Sequence, residues 1–101
     1  MNYYEVYNIN GINVSGTDDE GTLFNMIDVF NVLEVKPITR TRWHEEVLSS
    51  TTDMIHAIKT NNVYEPYINN EQLNILIKIA QREKGESISL LIIQDLAYSM
   101  K

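Results

Sequence analysis

Tyr3-Tyr4-Glu5-Val6-Tyr7-Asn8-Ile9-Asn10-Gly11-Ile12-Asn13-Val14 is the stretch on which the fold class turns. Its first seven residues are aromatic and β-branched at the density of a strand. Asn10-Gly11 accepts positive φ at two successive positions, as a type I′ turn requires, and Ile12-Asn13-Val14 supplies the returning arm. The chain therefore opens on a two-residue β-hairpin, one face of which must pack on a core.

Downstream, the signals alternate between helix and strand. Gly16-Thr17-Asp18-Asp19-Glu20-Gly21 reads as an acidic exposed loop, and Thr22-Leu23-Phe24 as a short return strand or the start of a helix. Asn25 is placed to cap a helix running to about Glu34, with Asp28 in the first turn and Met26, Val29, Phe30 and Leu33 on one face. Val35-Lys36-Pro37 ends that helix. A second helix is expected from near Thr39, with Trp43 and Val47 one turn apart, Leu48 beside them, a charged opposite face, and an end at Ser49-Ser50-Thr51-Thr52.

Met54 to Thr60 and Val63 to Ile68 suit a second hairpin around Asn61-Asn62, although the first arm also suits a helical turn. Pro66 assigns the second arm to a sheet edge. Asn69 or Asn70 then caps a helix carrying Leu73, Leu76, Ile77 and Ala80 on one face and closed by Lys84-Gly85. Ser87 caps a last helix with Ile88, Leu91, Ile92 and Leu96 in the same pattern.

These elements predict an α+β fold over residues 1–101 as a single domain: an N-terminal hairpin and small antiparallel sheet packed with three or four helices. The expected core contains Phe24, Phe30, Leu33, Trp43, Leu73, Leu76, Ile77, Leu91 and Ile92. In the last helix Leu90 and Ile93 lie outside the predicted stripe, so the helix is apolar on more than one face. A homodimer covering the second face is expected, with Leu90 at its interface.

Composition bounds the function. At 101 residues the chain can build one core, and 44% apolar with 22% charged residues is ordinary globular usage. With no cysteine, neither disulfides nor thiolate metal ligands hold it together. The apolar run Leu90 to Ile93 is too short for a membrane span and the N-terminus lacks signal-peptide character, which points to the cytosol of a bacterium or host cell and to no membrane partner. A net charge of −6 repels nucleic acid on average, so any contact with it must be local. Abundant asparagine and scarce alanine match the bias of AT-rich genomes such as those of many phages.

Catalytic signatures are missing from the sequence: there is no phosphate loop, dinucleotide turn, nucleophile elbow or paired-histidine helix. His44-Glu45-Glu46 has no second histidine four residues on, and Asp18-Asp19-Glu20 lacks calcium-loop spacing, so no metal, no cofactor and no enzymatic activity are expected. Lys36-Pro37-Ile38-Thr39-Arg40-Thr41-Arg42-Trp43-His44 gathers three of the eight lysines and arginines with no acid among them. Lys36, Arg40, Arg42 and His44 are thus the candidate contacts to phosphate or to a partner. The bland alternative pairs these cations with Glu34, Glu45 or Glu46. A second functional reading takes Asp18, Asp19, Glu20, Glu45 and Glu46, with Asp28 and Glu86, as an acidic surface that imitates phosphates and occupies the basic groove of a host protein.

Two segments together resemble the N-terminal domain of the BRO family, found in phage antirepressors and large DNA viruses and related in layout to KilA-N domains. Leu23-Phe24-Asn25-Met26-Ile27-Asp28-Val29-Phe30-Asn31-Val32-Leu33 is similar to the family's strand and Asp-Val helix, and Ile68-Asn69-Asn70-Glu71-Gln72-Leu73-Asn74-Ile75-Leu76-Ile77 to its strand end, cap and Leu-x-x-Leu helix. The likeness in layout spans roughly residues 3–84. It implies a regulatory protein that contacts DNA or a DNA-bound regulator.

Overall fold

The hairpin forms through the turn its sequence specifies. Asn10 and Gly11 adopt φ of 53° and 88°, and Ile9 pairs with Ile12 across them, joining β1 (Val6–Ile9) to β2 (Ile12–Thr17). These are elements of a computed structural model that describes residues 5–17 and 21–99. Tyr3 and Tyr4 of the first arm, and Asp18, Asp19 and Glu20 of the acidic loop, lie outside the described residues.

β3 (Gly21–Asn25) pairs antiparallel with β2 and runs directly into α1 (Met26–Val32). The Asn25 side chain accepts from the Asp28 amide at 3.0 Å, the expected N-cap, and the Asp28 carboxylate accepts from the Asn13 amide at 2.9 Å, fixing α1 to the hairpin. The first helix stops earlier than expected, because Glu34 takes a left-handed φ of 56° and the Val35 amide closes back on the Phe30 carbonyl.

Pro37 begins the next helix rather than marking a break before it: α2 spans Pro37–Ser50, with Lys36 at the N-cap. Proline suits this first position, where its missing N–H would have had no helical partner and its φ is already helical. At the other end the Ser49 and Ser50 hydroxyls donate to the Glu46 carbonyl, so the expected serine linker is absorbed into the helix.

β4 (His56–Thr60) and β5 (Val63–Ile68) form the second hairpin about Asn61 and Asn62, both at positive φ. The sheet order is β1-β2-β3-β5-β4, so β5 and its Pro66 lie inside the sheet and not at the expected edge. The proline is tolerated because β3 pairs with β5 only through Phe24↔Ile68 and Asn25↔Tyr67. One step further, opposite Pro66, the chain has already turned into α1, and a missing N–H costs no ladder bond there.

α3 (Asn70–Lys84) opens on a full capping box: Asn69 Oδ1 accepts from the Gln72 amide and Gln72 Oε1 from the Asn69 amide, both at 2.8 Å. Gly85 ends it at φ 75°. Ser87 Oγ accepts from the Leu90 amide at the start of α4 (Ile88–Ser99). Phe24, Val29, Phe30, Trp43, Val47, Ile68, Leu73, Leu76 and Ile77 share the main core, in which Phe30 meets Trp43 edge to face at 6.4 Å. Leu23 and Tyr67 alternate with Phe24 and Ile68 of that core along their strands and, with Ile58 of β4, form a second small cluster.

Two of the expected core residues are misplaced. In α4 it is Leu90, Ile93, Leu96 and Ala97 that are buried, whereas Leu91 is 55% and Ile88 78% exposed and Ile92 only half-buried. The helix is rotated from the expected stripe, which a sequence apolar all round does not specify. Leu90 is consequently a core residue and not an interface one. Leu48 also turns outward, at 46% exposure.

Candidate functional site

The basic segment occupies a corner where the end of α1, the start of α2 and the last turn of α3 meet. Its position follows from the left-handed Glu34 and from Pro37, which together bend the chain sharply between the two helices. A cleft of about 240 Å³ lies there, walled by Lys36, Thr39, Arg42, Trp43, Glu83 and Lys84, with Glu34 and Val35 beside them.

Arg40 is engaged inside the corner. Its Nε donates to the Val35 carbonyl and its Nη2 to Asn31 Oδ1, both at 2.8 Å, and its guanidinium lies 5.6 Å from the centre of the Phe30 ring. Arg42 points the other way and grips the Glu83 carboxylate with both Nη atoms, one of the two bonds measuring 2.7 Å. Trp43 Nε1 donates to the same carboxylate at 3.4 Å. Arg82 donates to Glu83 at 3.0 Å and to Glu46 at 2.8 Å, so four charges link α2 to α3. Hydrogen bonds from Arg42, and then from Arg82 and Trp43, hold the Glu83 carboxyl down to about 2.

Lys84 Nζ completes the corner by donating to the Leu33 and Glu34 carbonyls at 2.5 and 3.0 Å, satisfying acceptors at the end of α1. Lys36 is exposed at the N-cap of α2 and contributes no side-chain cap bond, and His44 is half-buried one turn beyond Arg40. Of the candidate contacts, then, Lys36 and Arg42 reach the cleft and Arg40 braces the α1–α2 connection. The arginine partners are not the acids adjacent in sequence: Glu83 takes Arg42, and Glu46 takes Arg82. Glu45 is exposed.

The chain matches no family model, no curated protein and no solved structure. What the site can do therefore rests on its own chemistry. Arg42, Arg82, Glu46 and Glu83 neutralise one another within the corner, and the central carboxylate is an ionised, doubly bridged anion rather than a proton acceptor near neutral pH. Among the described residues no group of three histidine, aspartate or glutamate side chains is arranged to hold a metal ion. Nor is any helix of the described residues long and apolar enough to cross a membrane.

Glu83, Arg82 and Lys84 were missed as members of this site in the sequence, where they read only as the end of an amphipathic helix. The one available signal is the basic last turn, which suits the helix dipole equally well and so does not announce a contact 41 residues away.

Proposed function

We propose that this protein is a small cytosolic regulatory module of the BRO type that acts by binding a DNA-bound regulator, with protein rather than duplex as its direct contact. The observation that carries this choice is the bidentate Arg42–Glu83 pair. Together with the bracing of Arg40, it leaves Lys36 as the one cation of the basic segment that makes no hydrogen bond or ion pair among the described residues. Duplex binding draws its strength from several cations free to replace condensed counterions, and one lysine on a chain of net charge −6 is a poor source of it.

The BRO resemblance is supported by the way its two segments fold. Each is a strand that passes through an asparagine cap into a helix, β3 through Asn25 to α1 and β5 through Asn69 to α3. The two strands pair at their last residues, so the segments form the centre of the sheet together. Layout of this kind bears on family and not on partner, so the preference for protein over DNA rests on the charge accounting.

Fluorescence anisotropy with duplex DNA, repeated across salt concentrations, tests the choice. We expect no binding at physiological salt and a slope of log K against log salt near that of a single contact, about −1. A slope of several units, lost in Arg42→Ala, would return the function to direct DNA binding. Recovery from the host of a partner that is a DNA-binding protein, retained after nuclease treatment, is the expected positive result. Recovery of a nucleic-acid enzyme held through its basic groove would favour the acidic-inhibitor reading instead.

A further inference from the structure

We infer that the outward face of α4 is the interface of a two-fold homodimer centred on Leu91. Buried Leu90, Ile93, Leu96 and Ala97 account for only one side of this helix. At 100° per residue Ile88, Leu91, Ile92, Asp95 and Tyr98 lie on the other side. There Ile88 and Tyr98 are each 78% exposed and Leu91 is 55% exposed. A helix apolar on both sides needs cover on both.

A second copy of the same helix fits this face in charge. Asp95 is the single charged residue of α4 and lies one turn past Leu91. When two copies of α4 pack antiparallel about an axis at Leu91, residue 95 of each falls against positions 87–88 of the other. That is the amino end of the helix, whose first-turn amides carry partial positive charge and whose first turn holds no acid. Glu86, just before it, is turned back to Gln81 of α3 through a 3.1 Å hydrogen bond. One face of a twelve-residue helix is smaller than the roughly 800 Å² per partner of a standard interface, so the dimer is weak and concentration-dependent.

Sedimentation equilibrium of the whole chain, from roughly 10 to 500 micromolar, tests this over the affinity range expected of a small interface. The mass should rise towards twice 11.7 kDa and no further. Leu91→Glu, a change at an exposed position, should remain folded by circular dichroism and stay monomeric throughout. Because the natural chain has no cysteine, Leu91→Cys should be trapped as a covalent dimer by a short bis-maleimide, whereas Leu48→Cys on α2 should not. A wild-type mass of one chain at the highest concentration, a Leu91→Glu variant that still dimerises, or growth beyond two copies overturns the proposal. If Leu91→Glu fails to fold, the cross-linking comparison decides, and equal trapping at positions 48 and 91 counts against the interface.

Discussion

Arg42 and Glu83, 41 residues apart in sequence, meet fork to fork and join the first half of α2 to the last turn of α3. The consequence is a pH dependence with a definite sign. Glu83 titrates near 4.5 when unpaired, and Arg42, then Arg82 and Trp43, depress it to about 2 in the folded chain. A depressed carboxyl contributes stability that is present above its unfolded value and lost as pH falls through the folded one. Between about pH 5 and pH 2 the wild type should therefore lose stability that Glu83→Gln never had. Thermal melts across that window should show the two proteins differing most above pH 5 and converging near pH 2. Parallel curves would mean that the pair contributes nothing in solution.

The rotation of α4 predicts opposite outcomes for two adjacent leucines. Leu90 is 1% exposed, and truncation to alanine should cost about 2–5 kcal/mol, the usual range for a buried leucine. Leu91→Ala should change the stability of the monomer by less than about 1 kcal/mol. Urea unfolding at low protein concentration, where self-association is suppressed, measures both. Equal losses would place the helix in a different rotation.

Much of this fold was legible because particular residues admit few alternatives. Asn10-Gly11 specifies a turn with two positive φ angles, and Asn69 followed by Gln72 specifies a helix start. What escaped depends on neighbours distant in sequence. Pro66 argues for an edge strand until one knows that β3 ends beside it. Pro37 serves equally to stop one helix or begin the next. Ile88 to Leu96 is apolar on every side, so periodicity gives the helix but not its orientation. At the candidate site the basic segment was visible, but its neutralisation was not, since nothing local in α2 designates Glu83 as the partner of Arg42.

The α3 cap should be one of the more sensitive polar positions. Asn69 accepts from the Gln72 amide, and its Nδ2 donates to Asp53 at 2.8 Å, while Gln72 Nε2 donates to the Asp53 carbonyl at 3.2 Å. The cap therefore also anchors the segment between α2 and β4. Asn69→Ala should cost about 1–2 kcal/mol, the upper part of the range for a lost N-cap. Asn69→Ser keeps an acceptor for the Gln72 amide without setting a second carboxylate against Asp53 and should retain most of that stability. Chemical denaturation compares them, and an alanine variant as stable as wild type would show that the box is not formed.

The two arginines of the basic segment separate a brace from a binding contact. Arg40 satisfies the Val35 carbonyl and Asn31 and covers the Phe30 ring, so Arg40→Ala removes hydrogen bonds and packing together and should cost about 1–2 kcal/mol. Arg42 is exposed and its loss leaves Glu83 with Arg82, so Arg42→Ala should lower the melting temperature by less than Arg40→Ala does. Arg40→Lys is the informative control, since a lysine keeps the charge but cannot donate along two directions while lying flat on the ring. If Arg40 acts as a brace, the lysine variant should be nearly as unstable as the alanine one. If its charge serves a phosphate instead, lysine should restore binding while alanine abolishes it. With a protein as the direct partner, all three variants should capture that partner as wild type does under conditions where they are folded. A loss of capture in Arg42→Ala with its melting temperature unchanged would instead make the guanidinium itself part of the contact.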